Sequence, residues 1–108
     1  MNGTAHVKAG ICGHDTTLQA ETSDGRSVSI AVATTCDNIE RYAARLAGDE
    51  PLDAYVEIDP RSPSRLLDLG RETGTCIDCV VPAAALKALR VATGLALPAD
   101  VAIGIVKQ

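Results

Sequence analysis

The chain has 108 residues, 46% hydrophobic and 22% charged, enough for one globular domain and inconsistent with intrinsic disorder. A net charge of -4 with no basic cluster excludes ordinary phosphate-backbone binding, and the lack of Phe and Trp removes the usual base-stacking platforms. No long apolar run signals a membrane span, and Met1–His6 has neither the basic nor the apolar region of a signal peptide, so a cytoplasmic protein is expected. Aromatic residues are only 2% of the chain, so the core must be built from Ala, Val, Ile and Leu packed closely.

Residues 4–12 alternate, with Ala5, Val7, Ala9 and Ile11 facing one way and His6, Lys8, Gly10 and Cys12 the other. Cys12-Gly13-His14-Asp15 reads as a turn. Residues 16–22 alternate again, with Leu18 and Ala20 inward. Asp24-Gly25 is a hairpin signal, and residues 27–34 form a third strand with Val28, Ile30 and Val32 inward. Three strands on short turns predict an antiparallel meander.

The period then changes. Ile39, Tyr42, Ala43 and Leu46 recur at helical spacing, with acidic Asp37 and Glu40 near the start and Gly48 as the stop. Ala54, Val56 and Ile58 predict a fourth short strand ending at Pro60. Ser62-Pro63 suggests a cap and first turn, with Leu66, Leu67 and Leu69 on the buried side of a short helix. Pro82 opens another helix with Ala85, Leu86, Leu89 and Ala92 on one face, closed by Gly94-Leu95 and Pro98. Val101, Ile103 and Ile105 predict a last strand. The expected fold is one α+β domain over residues 1–108: two layers, a mostly antiparallel sheet in the order βββ-α-β-α-α-β, and helices on one face. The open face would carry His6, Lys8, Gln19, Glu21, Ser27, Ser29 and Glu57.

Four cysteines carry the chemistry. Cytoplasmic thiols are kept reduced, so ligand or redox roles are favoured over disulfides. Cys76-Ile77-Asp78-Cys79 is a CxxC, a spacing used for zinc, for iron–sulfur clusters and for dithiol redox. In the meander, strands one and three run the same way. Cys12, at the end of the first, and Cys36, just after the third, then share a sheet edge about 10 Å apart. A Pro82 helix starting at that edge would bring all four sulfurs together, although strand parity puts Cys12 on the polar side and Cys36 on the core side. His14 is a candidate to replace one sulfur. Asp15, Asp37 and Asp78 adjoin these residues and oppose thiolate formation.

The expectation that follows is a metal-binding protein in which Cys12, Cys36, Cys76 and Cys79 hold an iron–sulfur cluster or zinc for electron transfer or sensing. Two alternatives stay open. One is a CxxC thiol–disulfide redox protein with a redox or protein partner. The other is a non-catalytic interaction domain with buried free cysteines, whose exposed edge strand and polar face would mediate homodimerisation or partner binding. No Gly-x-Ser-x-Gly elbow or P-loop is present, so hydrolase chemistry finds no support.

Gly10-Ile11-Cys12-Gly13, Thr34-Thr35-Cys36-Asp37-Asn38-Ile39, Cys76-Ile77-Asp78-Cys79-Val80-Val81-Pro82 and the Gly94–Val101 segment together resemble a family of small uncharacterised four-cysteine proteins found mainly in anaerobic archaea and bacteria. The resemblance spans nearly the whole chain. It implies a stand-alone prokaryotic protein, and an anaerobic setting would suit an oxygen-sensitive cluster. It implies no particular activity.

Overall fold

A computed structural model describes all 108 residues. The elements are β1 (Asn2–Lys8), β2 (Asp15–Glu21), β3 (Ser27–Thr34), α1 (Asp37–Asp49), β4 (Leu52–Asp53), α2 (Ala54–Glu57), α3 (Arg65–Thr73) and α4 (Val81–Ala92). The strands form one sheet in the order β1-β2-β3-β4, every pair antiparallel, as the α+β reading expects. The β2–β3 turn is held by the Asp24 carboxylate, whose Oδ1 accepts from the backbone N–H groups of Arg26 at 2.9 Å and Ser27 at 2.8 Å. These bonds hold the Asp24 carboxyl down at about 2. Gly25 follows with φ 77, the left-handed conformation that such a turn requires.

The sheet has one wet and one covered face. Leu18, Ala20, Val28 and Ile30 are buried, while Gln19, Glu21, Ser27 and Ser29 alternate with them into solvent. α1 packs against β3, and α4 lies across β1 and β2. α1 buries Ile39, Tyr42 and Leu46, spaced to fall on one helix face. The predicted stop at Gly48 is overrun by one residue, and the helix ends at Asp49. α4 buries Val81, Pro82, Ala85, Ala88, Leu89 and Ala92. Its small side chains let the helix backbone approach the sheet, and β1 meets it with Gly3. A Cβ on Gly3 would lie 2.5 Å from the Ala88 carbonyl oxygen and 2.9 Å from the Ala92 nitrogen. This contact is how a core almost without rings reaches full density.

Three parts of the sequence reading are corrected. The fourth strand is only Leu52–Asp53; Ala54–Glu57 turns into helix because the Asp53 side chain accepts from the Tyr55 N–H at 3.0 Å and caps it. α3 begins two residues later than Ser62-Pro63 suggests. Ser64 is its cap, accepting from the Leu67 N–H at 3.3 Å, so Leu66 and Leu69 are buried and Leu67 is exposed. Residues 101–105 form no strand: nothing after Ala92 belongs to a helix or sheet.

Glu57 is also displaced from its expected place. It was expected on the open face and is instead 6% exposed, beneath the start of α3. Its Oε2 accepts from the Arg65 N–H at 2.9 Å, and its Oε1 accepts from the Leu66 N–H at 2.8 Å and the Ser64 hydroxyl at 3.1 Å. The carboxylate thus satisfies donors that the helix itself leaves free, at the positive end of its dipole. No helix of the protein is long and apolar enough to cross a membrane.

The Gly3 contact gives a direct expectation. Gly3→Ala drives its methyl into backbone rather than into a flexible side chain, and costs about 1–3 kcal/mol in urea unfolding. An unchanged midpoint would contradict the close approach of α4 to β1.

Candidate functional site

Three loops meet at one end of the sheet: the β1–β2 connection, the β3–α1 junction and the α3–α4 connection. Cys12 lies in the first, between Gly10 at φ 85 and Gly13 at φ 71, where the Gly13 N–H donates to the Gly10 carbonyl at 2.9 Å. It is exposed, at the tip of a loop that has already left the sheet. Cys36 precedes α1 in an extended conformation, and its carbonyl accepts from the Glu40 N–H at 2.9 Å. Its own N–H donates to the Thr34 hydroxyl at 3.1 Å, and it is half-buried against the core.

Cys76 and Cys79 are positioned by the end of α3. Gly74 takes φ 79 and closes the helix. The Thr75 N–H then donates to the Gly70 carbonyl at 2.9 Å, and the Thr75 hydroxyl donates to the same oxygen at 2.9 Å. Gly70 also accepts Pro82 at close range, so a Cβ there would stand 3.1 Å from the Thr75 hydroxyl and 3.3 Å from the Pro82 ring. Between these two anchors the chain makes one tight turn, closed by the Cys79 N–H donating to the Cys76 carbonyl at 3.0 Å. Ile77 and Asp78 occupy its exposed corner. Cys76 is exposed; Cys79 is half-buried and packs on the core immediately before α4.

Burial pushes the Cys79 thiol up from its ordinary 9.0, against a hydrogen bond from the Val81 N–H that pulls it down. The charges of Cys76, Cys36 and Cys12, in that order, push it further up. The four sulfurs do not share a coordination site. No group of three or more His, Cys, Asp or Glu is placed to hold a metal ion. Zinc–thiolate bonds of about 2.3 Å require sulfurs within about 4 Å of one another. Cys12 instead projects into solvent from its loop, while Cys36 turns to the core. His14 hydrogen-bonds through Nδ1 to the Thr35 hydroxyl at 3.0 Å and belongs to no group placed to hold a metal. The expectation of a zinc or iron–sulfur protein built on Cys12, Cys36, Cys76 and Cys79, with His14 as a substitute ligand, is therefore overturned.

Two residues with a part in this end of the molecule lack any local motif. Tyr42 is fully buried, and its hydroxyl donates to the Leu66 carbonyl at 2.6 Å, joining α1 to α3. Burial, followed by the charges of Glu57 and Cys79, pushes its phenol upward. Gly70 is the other: only its neighbours in space, Thr75 and Pro82, reveal why a side chain is excluded. The helical spacing of Tyr42 pointed to burial, but nothing in the sequence pairs it with Leu66.

The chain belongs to DUF6951, a family of unknown function, whose model matches residues 3–105. No curated protein and no solved structure matches it.

The raised pKa values have a definite sign. Cys79 and Tyr42 hold their protons more tightly folded than unfolded. Their contribution is fully present below the ordinary thiol and phenol values of 9.0 and 10.0, and is lost as pH rises through the raised ones. Tyr42→Phe should cost about 1 kcal/mol at neutral pH through the lost hydrogen bond, yet flatten the fall in stability at alkaline pH. An alkaline limb of unchanged slope in the urea midpoint would contradict this.

Proposed function

We propose that this protein performs thiol–disulfide exchange through Cys76 and Cys79. The observation that carries the reading is the turn closed between them: an exposed first thiol and a half-buried second one, joined by a 3.0 Å backbone hydrogen bond at the threshold of α4. A four-residue turn keeps its terminal Cα atoms under about 7 Å apart, the range in which a disulfide closes with little backbone movement.

The two thiols have different parts. Cys76 is accessible, and its thiolate attacks one sulfur of a disulfide substrate. That S–S bond breaks, a mixed disulfide forms, and the substrate's other sulfur leaves and takes a proton from water. Cys79, held as a thiol by its burial, then gives up its proton to water and attacks Cys76 Sγ. The second substrate thiolate leaves and is protonated. Two protein thiols become one disulfide as one substrate disulfide becomes two thiols. The reverse sequence oxidises a dithiol partner. The partner class is a protein or a low-molecular-weight disulfide, and a reducing compartment such as the cytoplasm would return the pair to the dithiol.

Glutathione disulfide is a sufficient probe. In a Cys12→Ser background, the otherwise intact chain should form a Cys76–Cys79 disulfide with only transient glutathione attachment. Adding Cys79→Ser should trap glutathione stably on Cys76, and adding Cys76→Ser instead should slow the reaction by roughly tenfold or more. Peptide mass mapping reads all three. Stable glutathione on Cys76 with Cys79 intact, or no reaction at Cys76, would overturn the proposal.

A further inference from the structure

The C-terminal segment has the pattern of a strand and no sheet to sit in. Val101, Ile103 and Ile105 alternate with Ala102 and Gly104, yet are 58%, 67% and 90% exposed. Val106, next in line, is 76% exposed. Residues 97–108 make no backbone hydrogen bond to the rest of the chain. Val101, Ile103, Ile105 and Val106 are β-branched residues of the type enriched in strands. The molecule measures 45 × 28 × 27 Å, one axis much longer than the other two. Pro98 favours an extended conformation at Leu97 and so directs the exit away from α4.

The same chain offers an unpaired edge. β1 pairs only with β2, leaving one side of the strand free. Its inward side chains Ala5 and Val7 are only half-buried, although both pack on the core. The core is thus incomplete at this margin. α4 ends beside Gly3, so the tail leaves the body at the start of that open edge. The family match from residue 3 to residue 105 takes in both the edge and the alternating segment.

We propose that residues 101–106 add as a fifth strand to the β1 edge of a second copy of this chain, reciprocally, to form a two-fold dimer. The tail's outward exit selects a second copy over its own edge. Val101, Ile103 and Ile105 would continue the covered face past Ala5 and Val7, while the backbone groups of tail and edge satisfy each other. A symmetric exchange uses the same two features twice and leaves no free edge of this type to propagate a filament. This inference is independent of the dithiol chemistry, since the cysteines lie at the opposite end of α4.

Sedimentation velocity of the reduced full chain should give a species of twice the 11.2 kDa chain mass. Ile103→Asp and, separately, truncation after Pro98 should both yield folded monomers that keep the helical far-ultraviolet circular dichroism signal and the cooperative unfolding of the full chain, the substitution weakening association by roughly 30-fold or more. In a mixed sample of isotope-labelled and unlabelled chains, filtered nuclear Overhauser contacts should connect Ile103 and Ile105 methyls of one copy with Ala5 and Val7 of the other. A monomeric full chain, a dimer that survives truncation, or intermolecular contacts found only between the two tails would each overturn the proposal.

Discussion

The close approach of α4 to β1 is the constraint on which the remainder of this molecule depends. With almost no aromatic volume available, the core packs by bringing backbones together, and Gly3 leaves no room for a side chain opposite Ala88 and Ala92. That contact fixes α4 along the sheet. One end of the helix is then set beside the loops that carry Cys12 and Cys36, and the other end releases the C-terminal segment next to the free side of β1. The helix start is pinned a second time by Gly70, which admits Thr75 and Pro82, so the CxxC turn is stretched between two fixed points.

The environment of the turn separates the two thiols. At Cys79 the Val81 N–H favours a thiolate, but loss of water outweighs it, and the neighbouring cysteines add repulsion to any charge that forms there. A thiol of this kind is a poor first attacker and a suitable second one, because an adjacent mixed disulfide supplies its target at very high local concentration. The exposed sulfur, Cys76, is the one a substrate can reach. The four sulfurs, held by three loops of different reach, do not enclose an ion.

Much of this architecture was legible from periodicity. The three-strand meander, the Asp24-Gly25 turn and the buried faces of α1 and α4 follow from spacing, because each of these elements has one wet and one dry side. The misreadings have local causes. Ala54, Val56 and Ile58 alternate like a strand, but the Asp53 cap offers the backbone a helical turn first. Ser62-Pro63 reads as a cap and first turn, but Ser64 caps the helix, and Glu57 supports that start by accepting from the N–H groups of Arg65 and Leu66 from another element. A contact of that kind has no sequence period. The segment from Val101 to Ile105 has the right pattern for a strand and lacks only a partner within its own fold. For the cysteines, spacing fixed Cys76 with Cys79. The position of Cys12 depended on where β1 ended, and it ended at Lys8, four residues before the thiol.

A redox titration of the full chain tests the central claim most directly. Equilibrated against thiol–disulfide buffers of graded potential, quenched by alkylation and mapped by peptide mass, the chain should show one two-electron couple. Its oxidised form should be the Cys76–Cys79 disulfide, with a midpoint between about -180 and -270 mV. A first disulfide that joins any other pair, or a Cys76–Cys79 pair that remains reduced across that range, would contradict the account.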